Sequence, residues 1–292
     1  MAGLSDADLT GTSYHQLFWG VYISSSVTVT LVVRALAALM VAPSGSIVSH
    51  HTAARLWGGI PPESGDVHIS MPVGNRQKTR GIRSHRRSAM PAQATRRGLP
   101  ATSPEQTFLD LAACCDLVQL VTLGDSLVSA GATTPAKLVA ATTQSPTSHA
   151  ALARRAASLV RGRVDSPMES RLRLLLVLAG LAEPRVNFEI CDDDGRVRYR
   201  LDLSYPDHML AIEFDGRQHI EVQAQWEGDV IRREDIETDG WRFVVVTSTQ
   251  FYGAAGDVLD RIVAAMQERG VAVPRRLRGE WRRYFIGTKD IA

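Results

Sequence analysis

The residues whose types and spacing point most directly to chemistry lie between Arg198 and His219, in RYRLDLSYPDHMLAIEFDGRQH. Two strands alternate here with period two: Tyr199, Leu201 and Leu203 share one face of the first, and Arg200, Asp202 and Ser204 the other. In the second strand Ala211, Glu213 and Asp215 oppose Leu210, Ile212 and Phe214. A turn at Tyr205-Pro206-Asp207-His208 would pair Ser204 with Met209 and set Asp202 opposite Ala211, with Glu213 one diagonal step away. Three carboxylates then converge. Like charges at that separation repel, so the pattern implies a hard, oxygen-seeking cation between them, Mg²⁺ or Mn²⁺. Asp is disfavoured inside a strand, which strengthens a functional reading of Asp202.

The elements that must position these groups follow on either side. SPMESRLRLLLVLAGL opens at Ser166 with Pro167 and Glu169 in the first turn and Gly180 near its end, the signature of a capped helix. Glu169 is therefore either a capping-box glutamate or a further acid of the site. Beyond the hairpin come a helix over 228–238, a turn at Asp239-Gly240, a strand over 242–247 whose FVVV run reads as buried on both faces, and a helix over 254–268.

Upstream, residues 15–24 read as a short strand and 28–42 as a helix stopped by Pro43-Ser44-Gly45. Ser49 precedes a helix in HHTAARLWGG, and Ser103-Pro104-Glu105-Gln106 opens another. Strands are predicted over 67–73 and 81–85. Residues 117–160 are helical material rich in Ala, Thr and Leu. The fold class is α/β, or α+β over the whole chain.

With 292 residues, 45% of them hydrophobic, and a net charge of only +2, the chain is long enough for two domains, and any nucleic-acid contact must rest on local patches. One such patch is clear. From Val67 to Pro104 there is no acid, while Arg76, Lys78, Arg80, Arg83, Arg86, Arg87, Arg96 and Arg97 supply positive charge suited to phosphates or to a solvated loop. A second, at Arg275 to Tyr284, interleaves arginines with Trp281 and Tyr284. Cys114, Cys115 and Cys191 lack disulfide or zinc spacing, and His50, His51, His68 and His85 lack any recognisable ligand spacing and read as structural or exposed. The acidic N-terminus is unlike a secretory signal, and the apolar run 27–42 carries Arg34 and falls short of the roughly 20 residues a bilayer requires, so a cytoplasmic protein with no membrane partner is expected.

Glu169, Asp202, Glu213-Phe214-Asp215-Gly216, His219, Asp229, Arg233 and Asp239-Gly240-Trp241 together resemble the domain-of-unknown-function family 559. That family is placed in the PD-(D/E)xK restriction-endonuclease-like superfamily, near the very-short-patch mismatch repair endonuclease. Residues 15–115, with GVY, SHHTAARLWGG and the SPEQTFLDLA helix, are similar to the AbiEi-type antitoxin region. The resemblances imply an antitoxin-like α+β domain over 1–115 with a truncated winged-helix start, a helical linker over 116–162, a nuclease domain over 163–270 with a small mixed sheet flanked by helices, and a basic tail over 271–292. They further imply phosphodiester hydrolysis in DNA, with RNA open, by Asp202 and Glu213 as ligands of Mg²⁺ or Mn²⁺, the Phe214 carbonyl as a further donor, and Glu169 at a second metal or a water.

The superfamily usually has lysine two residues after the glutamate. Here that residue is Asp215, and no lysine lies between Lys137 and Lys289. Arginine stays protonated, which leaves His219 as the candidate base. Arg217 and Arg233 are candidate phosphate contacts. The alternative is a catalytically silent DNA-binding regulator or antitoxin-like protein. Oligomeric state is not specified by these patterns.

Overall fold

The computed structural model describes residue 9 and residues 11–74, 78–146, 148–215 and 238–285. The chain divides into two compact units, Met1–Gly162 and Arg163–Ala292. Both mix helices with sheets, as the α/β reading expects. No described helix is long and apolar enough to cross a membrane.

In the first unit the single strand expected over 15–24 is a hairpin, β1 (Tyr14–Phe18) and β2 (Val21–Ser24). It turns at Trp19-Gly20, where Gly20 takes φ +75, a conformation that costs glycine nothing. Helix α1 (Leu31–Met40) starts at Thr30, whose side chain accepts from Val33 N, and buries Ala35, Ala37 and Ala38. Five strands follow: β3 (Ile47–Val48), β4 (Val67–Pro72), β5 (Ile82–Arg87), β6 (Gln93–Arg96) and β7 (Leu99–Thr102). They form one mixed sheet in the order β5-β4-β3-β7-β6. β4 and β5 run parallel, an arrangement no hairpin turn produces. Helix α2 (His50–Leu56) packs against β4, and Ala53, Leu56, Ile69, Val48 and Leu99 join one apolar core.

Helices α3 (Pro104–Leu111), α4 (Leu117–Ser129), α5 (Pro135–Thr143) and α6 (Ala150–Leu159) complete the unit. Ser103 caps α3 as the sequence indicates, its Oγ accepting from Gln106 N at 3.1 Å. Residues 116–162, expected as a helical linker, instead fall within this unit, where α4 buries Leu117, Leu120, Val121, Leu123 and Leu127. Gly124 is what lets α4 sit so close: a Cβ there would overlap the Val160 side chain and crowd Phe108.

The second unit opens with α7 (Pro167–Leu178), apolar on most sides and buried through Leu172, Leu174, Leu175, Leu176 and Leu178. Its fully buried Arg173 pairs with Glu183 at 2.8 Å. The sheet has four strands in the order β11-β10-β9-β8: β8 (Arg185–Cys191), β9 (Val197–Tyr205), β10 (Leu210–Asp215) and β11 (Arg242–Thr247). β8 to β10 are antiparallel neighbours, and β11 joins parallel to β10. β8 and the short α8 (Ser248–Gly253) are additions to the sequence reading, whereas β11 and α9 (Ala255–Glu268) lie where expected. The helix expected over 228–238 falls almost wholly outside the described residues.

Candidate functional site

Register decides where the carboxylates meet. The hairpin pairs Tyr205 with Leu210, Ser204 with Ala211 and Leu203 with Ile212, two residues away from the sequence expectation of Ser204 with Met209. The cause is local. Tyr205 stays in the strand because its ring is buried and its hydroxyl donates to the Ala182 carbonyl at 2.6 Å. The turn therefore shifts to Pro206–His208, a single 3₁₀ turn, and closes on Met209 at φ +49. A shift of two preserves faces. The ladder itself ends at Leu203 with Ile212, one residue short of Asp202 and Glu213.

The same position on β8 is Asn187, flanked by the pairs Val186 with Leu203 and Phe188 with Leu201. Asn187, Asp202 and Glu213 lie on the adjacent strands β8, β9 and β10. Glu169 reaches Asn187 from α7. It is only 6% exposed, and its Oε2 accepts from Asn187 Nδ2 at 2.8 Å and from Asp165 N at 3.0 Å. Ser166 Oγ accepts from Glu169 N at 3.1 Å, so the cap is real. The carboxylate, however, bonds one residue before the cap and reaches a second element, which a purely local capping role does not require. Asn187 holds φ +47, a left-handed value sparsely populated outside glycine, and its Nδ2 also donates to the Arg163 carbonyl at 2.5 Å.

Asp202 is fixed in a different way. Beyond the Leu203–Ile212 pair, Phe214 N donates to Asp202 Oδ2 at 3.0 Å, a side-chain bond in place of further ladder pairing. Asp202, Glu213 and Asp215 are half-buried, and Glu213 and Asp215 sit opposite Val245 and Thr247 of β11. An open groove of about 680 Å³ is lined by Asp165, Glu169, Asn187, Glu189, Arg200 and Asp202, among others. At its edge Arg200 forms an ion pair with Asp165. The structure thereby brings Glu169 and Asp202 into one groove, whereas Glu213 sits on the neighbouring β10 and is not among the residues that line it. The oxygen-only donor set suits a hard cation such as Mg²⁺ or Mn²⁺. Asp165, Asn187 and Glu189 were missed from sequence; the last two ride on β8, whose VNFEIC signal is short, and Asp165 precedes the helix cap.

Other candidates separate. His219, Arg217, Arg233 and Arg76 lie outside the described residues. Lys78, Arg80, Arg83 and Arg86 are exposed. They do not form one face: along β5, an edge strand, Arg83 and Arg87 alternate with Arg86. Arg83 Nε lies 3.5 Å from Asp66, and Arg87 Nη2 lies 2.7 Å from the buried Asp110 as an ion-pair contact. In the tail, Trp281 is buried and Arg282 lies over its ring, so this indole is a packing residue, not one open for base stacking.

The first unit holds a cluster that spacing did not reveal. His50, His68 and His85 each present a ring nitrogen within 4.8 Å of the other two. The sequence reads these histidines as structural or exposed, without ligand spacing, whereas His50 and His68 are buried and His85 is half-buried. Each comes from a different element, and the parallel β4–β5 register that unites two of them leaves no periodicity along the chain.

Residues 45–160 match the family described as the AbiEi antitoxin C-terminal domain. Within the first unit, this segment is similar to that domain. The match runs from before β3 through α6, so it takes in the His50–His68–His85 cluster and the 117–159 helices, and it ends short of Glu169. Uncharacterized proteins from two strains of Mycobacterium tuberculosis are each 26% identical to this chain over 222 residues, 76% of this chain and 81% of theirs. No solved structure matches the chain.

Proposed function

We propose that this protein belongs to a toxin–antitoxin type of system and that its second unit is a metal-dependent endonuclease hydrolysing phosphodiester bonds in DNA. The observation that carries the reading is the groove that Glu169, Asn187 and Asp202 line together, with Glu213 on the neighbouring strand β10. Asp202 and Glu213 are the residues to hold Mg²⁺ or Mn²⁺, with the Phe214 carbonyl beside them. Bound there, the ion supplies a Lewis acid for a phosphate oxygen and a lowered pKa for a water. The chain supplies position. Phe214 N–H fixes Asp202, Asn187 fixes Glu169, and the arginines and Lys78 of the first unit, with Arg217 and Arg233, neutralise backbone phosphates. With Asp215 where lysine is usual, His219 is the proposed proton acceptor.

Incubating the full chain with supercoiled plasmid in Mg²⁺ or Mn²⁺ tests this. Nicked circles are expected from the wild type and not from Asp202→Ala or Glu213→Ala; equal nicking by all three rules the site out. Labelled single-stranded RNA in the same assay separates the two nucleic acids.

The family match over the first unit and Asp215 in the lysine position favour a second reading, a catalytically silent DNA-binding regulator or antitoxin-like protein. It expects a gel shift that weakens steeply with salt and needs no metal.

A further inference from the structure

The histidine cluster of the first unit has the construction of a metal site. His50 opens α2 at φ +50, a left-handed value that a non-glycine residue holds only when its surroundings demand it. His68 and His85 share a face of adjacent parallel strands, because Ser70, two residues after His68, is the registry partner of His85. His68 Nδ1 and His85 Nε2 lie 3.1 Å apart. Two imidazole ligands of one tetrahedral Zn²⁺, each about 2.0–2.1 Å from the ion, put their nitrogens about 3.3 Å apart. His50 stacks on His85 with ring centroids at 3.4 Å, a face-to-face packing from which one ring must turn for both to share an ion, and the His51 ring stands 4.5 Å from that of His68.

The surroundings are those that orient metal-bound imidazoles. Ser64 Oγ lies 2.8 Å from His68 Nε2, which leaves Nδ1 to the cluster, and Ser49 Oγ lies 2.9 Å from His50 Nδ1. Asp110 stands behind His50, its Oδ2 3.8 Å from Nδ1. That oxygen and His51 Nδ1 are both buried without a hydrogen-bond partner among the described residues, an expensive condition that a nearby cation relieves. Charge is balanced nearby: Arg87 contacts Asp110 Oδ1, and Arg83 contacts Asp66. Burial and the neighbouring histidines and arginines keep the three rings neutral, with His50 lowered to about 2, His68 to about 3 and His85 to about 4. Neutral imidazole is the form that ligates, so protons do not compete for this site at neutral pH.

We propose that His50, His68 and His85 bind one transition-metal ion of the Zn²⁺ class, with Asp110 orienting His50 and His51 available as a fourth nitrogen donor. Nitrogen-rich sites of this kind select borderline metals over Mg²⁺, which separates this site chemically from the groove of the second unit.

The test uses the full chain, stripped with a chelator and titrated with Co²⁺ as the probe. One equivalent is expected, giving visible d–d absorption typical of a low-coordinate nitrogen site, displaced by Zn²⁺. His85→Asn, on the edge strand, is expected to weaken binding at least tenfold, and Asp202→Ala to leave the band unchanged. Cu²⁺ bound to the wild type gives a readout that needs no variant, with nitrogen superhyperfine splitting from three imidazoles expected in the EPR spectrum. No Co²⁺ retained by the wild type, a Cu²⁺ spectrum with oxygen ligands alone, or a cobalt band lost in Asp202→Ala and kept in His85→Asn overturns the proposal.

Discussion

The two units gather ionisable side chains by opposite means. In the first, three neutral imidazoles from α2, β4 and β5 meet in a buried pocket backed by one carboxylate. In the second, carboxylates from α7 and β9 line an open groove, steadied by an asparagine amide and a backbone N–H. The difference teaches that donor type and hydration sort the chemistry before any ligand is known. Nitrogen donors out of water suit a soft or borderline ion, whereas oxygen donors facing water suit a hard one that keeps part of its hydration.

The comparison can be broken at several points. The largest effect is expected from Asp202→Ala or Glu213→Ala, which remove a proposed ligand of the hard cation. Because such an ion contributes several kcal/mol to the transition state, initial nicking rates should fall by about a thousandfold, while His85→Asn leaves them near wild type. A reversed pattern would place the chemistry in the first unit.

Next in size is Asp110→Ala. It leaves the Arg87 charge, only 26% exposed, without its carboxylate, and breaking a buried pair costs roughly 3 kcal/mol or more. A urea midpoint equal to the wild type would show that Asp110 does not anchor the imidazole pocket. Gly124→Ala follows, with about 1–3 kcal/mol lost to overlap with Val160. Circular dichroism melts should show it, and an unchanged melt would mean α4 packs with slack.

How much of this was legible in the sequence depends on the range of the signals. Ser103 and Ser166 sit at their caps because capping is decided within four residues, and β11 and α9 lie where their apolar patterns put them. The hairpin faces were legible too, since alternation along β9 and β10 is local. Its register was not, because the bond from Tyr205 to Ala182 that keeps Tyr205 in the strand spans 23 residues. β8 went unread, and with it Asn187, whose left-handed backbone and bond to Glu169 have no sequence signature. The histidine cluster was invisible for the same reason: His68 and His85 meet through the parallel pairing of β4 with β5, and His50 joins them from α2.

Acid response sharpens the contrast further. The unfolded chain binds protons at its histidines near the ordinary value of 6.5, whereas the folded cluster resists them down to about 4 at His85 and lower at His50 and His68. With a chelator present, their contribution to stability is complete above pH 6.5 and declines as pH falls from there toward 4 and below. The melting temperature of His85→Asn should fall less over that window than that of the wild type; parallel curves would remove the histidines from the acid response. The smallest expected effect is Ser166→Ala, about 1 kcal/mol from loss of the α7 cap, read in the same urea titration.

The central claim is that the acids of the second unit hold a hard divalent ion. Calorimetric titration of Mn²⁺ into the full chain, wild type beside Asp202→Ala, addresses it without any substrate. A saturable isotherm in the wild type that is lost in the variant is the expected result. Superimposable isotherms, or no heat of binding from either chain, would contradict it.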